Sequence, residues 1–551
     1  MFSKILFIAF LTLINNCNIQ AQSKTVSFDQ VNEINRPKLV IGLVVDQMRW
    51  DYLYRYYNRY SKGGFKRLMH QGYNFQNTFI PYVPAVTAAG HTCIYTGSVP
   101  AVHGMVGNDW VENNTGKIMY CAQDDSVKSV GSISLEGKMS PKNMQVTTVA
   151  DELRLATNFR SRTFGIALKD RGGIFPAGHS GNAAYWFEDA SGNWITSTYY
   201  MQALPKWVSD FNNNRLTDKY MQNDWNLLYP ASTYIQSTAD NKMYEKTLPH
   251  ETTRTFPHTY KSLIGKSYYT FRINPFGNTL TLDFATSLIK SESLGKTADT
   301  DMLCISLSST DYIGHRYGPN SMEIEDTYLR LDKDIEKFLN TLDAQVGKGN
   351  YLLFLTADHG APNNPAFMQE NKLPGGNLNA KSMIPDMNQM LKKQFGRDSL
   401  VKKIYEYQVY LNNALIDSLK LNRAAIKTTL VQFLLSKPEV QQAFDYSEFD
   451  KVIMPARIKE MFAKGYFRNR SGEVQFILKP QYHDVDWAGT EHGTWYPYDT
   501  HIPLIFFGWN INPGKTYREV YMTDIAPTLS ALLNIQQPGG CIGTVLTEVV
   551  R

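Results

Sequence analysis

The sequence predicts a doubly wound α/β fold, a mostly parallel sheet sandwiched by helices and interrupted by two insertions. Three observations predict it. Apolar, β-branched runs recur along the chain, of the kind a parallel sheet buries on both faces. Amphipathic helical stretches stand between them. The runs also end on or close to charged and metal-ligating side chains, at the strand ends where open α/β sheets bind their ligands.

The first run, 37–46, ends in Asp46, and a helical pattern over 53–69 follows it. A helix is predicted over 149–155, then a strand over 163–168 that leads into Lys169-Asp170-Arg171. A helix over 280–289 precedes the strand 302–307, which runs through Ser308-Ser309-Thr310 to Asp311. The stripe Ile324, Tyr328, Leu331, Ile335, Phe338, Leu342 predicts a long helix over 324–342. The strand 351–357 ends at Asp358-His359-Gly360, and a fifth run, 502–507, lies shortly after Glu491-His492-Gly493. Two stretches break the rhythm. Residues 180–270 are rich in Tyr, Trp, Asn and Thr, and residues 361–485 open on Pro/Asn/Gly-rich loop and then carry helical pieces. Both read as insertions forming a cap.

Composition limits the function classes. Of 551 residues, 43% are hydrophobic and 19% charged, which excludes a disordered or coiled-coil chain. A net charge of +5 over this length is too weak and dispersed for a nucleic-acid binder. Lys4, the apolar run 5–14 and Ala21 read as a secretory signal peptide cut near residue 21. Asn16 makes Cys17 a poor lipidation site. No later stretch approaches the ~20 apolar residues of a membrane span. The expectation is an exported protein, periplasmic or secreted, with no stable membrane anchor and no nucleic-acid partner. It divides into a signal peptide, 1–21, and one domain, 22–551, with oligomeric state left open. Four cysteines remain after cleavage, Cys93, Cys121, Cys304 and Cys541, an even number that permits disulfides without assigning them.

Asp311-x-x-x-His315 puts a carboxylate and an imidazole on one face of a helical turn. Asp358 and His359 converge where Gly360 lets the chain break. With Asp46 and His492 they form a cysteine-free set of oxygen and nitrogen ligands. Such a set suits Zn²⁺ in open sites, two ions about 4 Å apart serving in-line displacement at phosphorus. Singly, each of these residues is more often structural. Thr87 follows a Pro-containing extended segment and precedes small residues at a helix start, so it is either a nucleophile or an N-cap.

In order and spacing, Val44-Val45-Asp46, the Thr87 segment, Thr96-Gly97 through His103-Gly104, Asn108, Asp311 to His315, Asp358-His359-Gly360, His492 and Thr523 to Thr528 resemble the alkaline phosphatase superfamily. The resemblance spans nearly the whole mature chain. It implies an alkaline-phosphatase-like fold and two Zn²⁺ per chain. One zinc would be held by Asp311, His315 and His492, the other by Asp46, Asp358, His359 and the Thr87 oxygen. Thr87 stands where sulfatases need a modified Cys or Ser. The close competitors, nucleotide pyrophosphatase/phosphodiesterases, share the threonine, the asparagine and both zinc sites. Lys169 and Arg171 favour the monoester dianion, whose extra charge a lysine and a forked guanidinium match. In this the chain resembles PafA-type alkaline phosphatases, which implies that Asn108, Lys169 and Arg171 contact the phosphoryl group. The expectation is hydrolysis of small phosphate monoesters, such as sugar phosphates and nucleotides, through a phosphothreonine. A phosphodiesterase is the first alternative and a catalytically silent binding protein a remote one. His91, His103 and His179 read as structural, and Asp170 has no assigned role.

Overall fold

A computed structural model describes residues 35–550 except Asp486. The expected signal peptide, Cys17 and the cleavage position lie outside these residues. From Arg36 onward the chain forms one compact unit. Among the described residues no helix is long and apolar enough to cross a membrane.

Fourteen strands carry the argument. They are β1 (Leu39–Val45), β2 (Tyr73–Phe79), β3 (Ser129–Val130), β4 (Thr163–Ala167), β5 (Ala183–Phe187), β6 (Trp194–Ser197), β7 (Asp301–Leu307), β8 (Tyr351–Thr356), β9 (Val401–Tyr405), β10 (Gln408–Leu411), β11 (Val440–Asp445), β12 (Val474–Leu478), β13 (His501–Gly508) and β14 (Gly514–Tyr521). Ten form the central sheet, in the order β14-β2-β13-β8-β1-β7-β4-β5-β6-β3. The block β8-β1-β7-β4-β5 is parallel throughout. Its strands β1, β4, β7 and β8 are buried at every residue, as their unbroken apolar runs predict.

Parallel pairing puts the carboxyl ends of β1, β4, β7 and β8 on one edge, and with them Asp46, Lys169, Asp311 and Asp358. The fifth predicted strand, β13, runs antiparallel to β8. It must therefore start at that same edge, which brings His492, just before it in sequence, back to the others. The sheet also extends into the 180–270 stretch. Ala183–Phe187 lies parallel to β4, and Trp194–Ser197 antiparallel to β5.

Four helices frame the edge: α1 (Thr87–Thr96), α2 (Asp170–Ala177), α3 (Ser309–Tyr317) and α4 (Met322–Leu342). The sheet fits closely against α1, since a Cβ on Gly42 of β1 would meet the Tyr95 hydroxyl. The helix predicted over 53–69 is broken in three: an α-turn at Tyr52–Arg55, a 3₁₀ turn at Tyr57–Arg59 and a helix at Phe65–Gln71. The break is made by Asp332 of α4, whose carboxylate accepts from the backbone N–H groups of Ser61 (2.6 Å) and Phe65 (2.7 Å). Gly63 and Gly64 have no room for a Cβ beneath Glu336 and Asp332.

The 361–485 stretch builds its own four-stranded antiparallel sheet, β9-β10-β12-β11, on a separate core that includes Met387, Val409, Ile426, Leu430 and Phe476. In the 180–270 stretch side chains pin loops to α4. Asp326 accepts from Trp225 Nε1, the Leu228 N–H and the Tyr234 hydroxyl. Cys93, Cys121, Cys304 and Cys541 are all free thiols.

Candidate active site

The predicted ligands fall into two groups. Asp311, His315 and His492 form one, and Asp46, Asp358 and His359 the other, the ligand atoms within each lying within 4.8 Å of one another. Asp311 and His315 sit one turn apart on α3, with His315 Nε2 3.1 Å from Asp311 Oδ1. His492 Nε2 lies 3.7 Å from the same oxygen. In the second group His359 Nε2 lies 3.6 Å from Asp46 Oδ1 and 3.5 Å from Asp358 Oδ2. The groups adjoin, because the His359 and His492 rings stack at 3.5 Å.

Each histidine is turned the same way. Nδ1 of His315 faces the Thr490 carbonyl (2.8 Å), that of His492 the Ala85 carbonyl (2.8 Å) and that of His359 the Gly360 carbonyl (3.0 Å). A carbonyl only accepts, so Nδ1 carries a hydrogen and Nε2 is the atom turned toward the carboxylates. That is the orientation of a metal-ligating imidazole with a backbone outer partner. The carboxylates fit the same reading. Asp46 Oδ1 is buried without a hydrogen-bond donor, a state costing about 1–3 kcal/mol unless a cation satisfies it. Two imidazoles with a carboxylate, and two carboxylates with an imidazole and no thiolate, form donor sets that suit zinc-type divalent ions with positions left open.

The electrostatics follow the burial. Burial first, then the Asp358 charge, pushes the Asp46 carboxyl up. At Asp311 burial acts in the same direction, but His315 and Lys169 outweigh it and hold the carboxyl well below its usual range. For His315 burial lowers the pKa, yet Asp311 and Glu491 raise it to about 10. His492 is pushed down by burial and by its imidazole neighbours. A proton and a metal ion therefore compete for His315 Nε2.

Thr87 is the first residue of α1. The N-cap is Val86, with no side-chain capping bond, so the capping alternative for Thr87 is not what the structure shows. Its Oγ1 instead lies 3.5 Å from His359 Nε2 and 3.3 Å from Lys169 Nζ. Lys169 is 2% exposed and stands between the groups, with Nζ 2.6 Å from Asp311 Oδ2 and 2.7 Å from Asp46 Oδ2. Asn108 accepts from the Ala88 N–H at Oδ1 (3.1 Å), so its donor end, Nδ2, is the end left to meet an anion. Arg171 lies close enough to Lys169 for their charges to repel, and its Nε is buried without an acceptor.

Four residues enter that the sequence left without a role. Gln47 has φ 64, in the left-handed region. From there its N–H reaches Asp358 Oδ1 (3.1 Å) and its Nε2 reaches Asp311 Oδ1 (2.7 Å). His91, read as structural, lies with Nδ1 3.0 Å from the Thr87 carbonyl and 3.2 Å from Asp358 Oδ2, and with Nε2 2.9 Å from Ser306 Oγ. The Tyr120 hydroxyl donates to Asp170 and accepts from Arg171 Nη1 (3.1 Å), which gives Asp170 a part in orienting Arg171. Gln47 beside Asp46, His91 in the Thr87 segment and Asp170 between Lys169 and Arg171 were within reach of a motif, and Tyr120 was not. His103 and His179 stand outside both groups, and burial pushes His103 down to about 3.

Comparison with known proteins agrees with this geometry. Residues 40–495 match the model of a family described as type I phosphodiesterase / nucleotide pyrophosphatase. The chain is 50% identical to alkaline phosphatase PhoV of Synechococcus elongatus, over 99% of this chain and 98% of that protein. It is 50% identical to a Myroides odoratus protein named calcium-transporting ATPase, over 94% and 96%. It is 47% identical to alkaline phosphatase PafA of Elizabethkingia meningoseptica, over 95% and 96%. The crystal structure of wild-type PafA superposes with a TM-score of 0.92, covering 94% of this chain and 100% of that one.

Proposed function

The chain belongs to the type I phosphodiesterase / nucleotide pyrophosphatase family, within which it is an alkaline phosphatase, and we propose that it works through a phosphothreonine on Thr87 at a two-zinc site. The observation that carries this reading is Thr87 Oγ1 at the meeting of the two ligand groups, with Lys169 Nζ 3.3 Å away. Zinc held by Asp46, Asp358 and His359 and by Asp311, His315 and His492 supplies Lewis-acid activation of the attacking and leaving oxygens.

The protein's own groups do the rest. Thr87 Oγ1 attacks phosphorus in line while the ester oxygen departs on the opposite side. Asn108 Nδ2, Lys169, Arg171 and the Thr87 backbone N–H hold the non-bridging oxygens, over which the charge of the transferred group is spread at the transition state. Lys169 adds the positive charge that distinguishes a monoester dianion from a diester monoanion. Water then attacks the phosphothreonine, releases phosphate and restores Thr87. Orientation of the ligands falls to His91 and Gln47, and that of Arg171 to Tyr120.

Export to the periplasm or beyond, sugar phosphates and nucleotides as substrates, and an insertion-built cap complete the reading. Zinc-loaded enzyme should turn over p-nitrophenyl phosphate faster than bis-p-nitrophenyl phosphate. Thr87→Ala should lose at least about 10³-fold of the first activity, as removal of a nucleophile does. Faster cleavage of the diester would overturn the monoesterase reading, and near-normal turnover by Thr87→Ala the nucleophile.

A further inference from the structure

At His492 and Glu491 the site borders a cavity of about 370 Å³. Its far wall is the β9–β10 hairpin of the second insertion. The two-residue turn of that hairpin is Glu406-Tyr407, with φ 50 and 61. Type I′ turns need positive φ at both positions and normally use Asn and Gly. Here two bulky side chains hold that conformation, and such outliers collect where a side chain is aimed at a task. Tyr407 anchors the tip, since its carbonyl accepts from the Phe476 N–H (3.0 Å) and Gln475 Nε2 (3.0 Å). Glu406 is thereby fixed against the phosphoryl-binding segment. Its carboxyl lies near enough to the Asn108 backbone N–H to be stabilised by it, its Cγ would lie 3.2 Å from a Cβ on Gly107, and its Oε2 3.5 Å from one on Gly493.

We propose that this cavity is the leaving-group subsite, that it takes a neutral, hydroxyl-rich leaving group such as a sugar, and that Glu406 is its specificity-determining residue. This rests on the phosphomonoesterase reading, in which the ester oxygen departs from phosphorus opposite Thr87, toward Asp311, His315 and His492. The lining selects the class. Lys246 and Lys381 disfavour a cationic leaving group, and Glu406, Asp484 and Glu491 a second anion. Few aliphatic side chains reach the cavity, so an apolar leaving group would strip water from charged walls at little gain. Hydroxyl groups both donate and accept, and satisfy ammonium and carboxyl groups alike. The volume fits one sugar ring, at the small end of ligand pockets of roughly 300–1,000 Å³.

The test is kcat/KM for glucose 6-phosphate and for phenyl phosphate, measured on wild type, Glu406→Ala, Glu406→Gln and Lys381→Ala. Intrinsic leaving-group reactivity cancels when each variant is compared with wild type on the same ester. Glu406→Ala should lose about tenfold more on glucose 6-phosphate than on phenyl phosphate, chiefly through KM. Glu406→Gln, which keeps an acceptor, should regain part of the difference. Equal losses on both esters would make Glu406 a support for Asn108 alone and overturn the subsite. If Glu406→Ala does not fold, the same differential in Glu406→Gln and Lys381→Ala decides. A wild-type enzyme that cleaves bis-p-nitrophenyl phosphate in preference to both monoesters overturns the monoesterase premise instead, a separate and recognisable outcome.

Discussion

Gln47 shows what a single residue does here. Non-glycine residues reach the left-handed region at a cost of about 1–2 kcal/mol, and Gln47 stays there with one N–H on a ligand of each group. Outer partners of metal ligands typically tune affinity by about 10–100-fold. Gln47→Ala should therefore weaken zinc binding by about tenfold or more, read by chelator competition. Unchanged affinity would reduce Gln47 to a packing residue. The candidate ligands and Thr87 were legible because each stands in a short motif beside a strand end or helix start. Gln47, His91 and Tyr120 were not, because their partners are distant in sequence. His91 meets Ser306 and Asp358, and Tyr120 meets Asp170 and Arg171.

Among elements, α1 sets the tolerance of the site. Replacing glycine by alanine inside a helix ordinarily gains about 1 kcal/mol. At Gly90 a Cβ would come within 2.4 Å of the Asp358 carbonyl oxygen and 2.7 Å of its Cβ. Gly90→Ala should thus reverse the usual sign, lowering Tm and pushing Asp358 out of place with a loss of activity of at least about tenfold. A variant as stable and active as wild type would show that α1 can shift away from the sheet. The buried strands were legible because a sheet covered on both faces demands unbroken apolar runs. The direction of β13 was not, since an apolar run reads alike in parallel and antiparallel pairing. The break at 60–64 was missed because the apolar spacing continues across Gly63-Gly64, while the cause lies on α4 in Asp332 and Glu336.

At the scale of the molecule, the 180–270 stretch is keyed to α4 by a buried charge cluster. His258 is held between Glu251 (2.9 Å) and Glu323 (3.3 Å). Burial lowers its pKa, but the two carboxylates more than compensate and raise it to about 9, against about 6.5 when unfolded. This contribution to stability is complete below about pH 6.5 and is lost as pH rises through about 9. Wild type should therefore lose more Tm than His258→Gln between pH 6.5 and 9.5, and parallel Tm curves would overturn the assignment. No periodicity announced this cluster, because side-chain pins, which leave no repeat, hold the stretch in place.

The stacked rings of His359 and His492 bear on how such a chain can change over evolutionary time. They join the two ends of the second insertion, so the ends are already in contact whatever lies between them. Closing a flexible loop costs only about 0.6 kcal/mol more for each doubling of its length. A segment with its own sheet and core, as this one has, escapes even part of that cost. A change of length within 361–485 should therefore cost little in closing the chain, so long as the contacts of Met461 with Val83 and of Arg470 with Gly104 beside the site are kept.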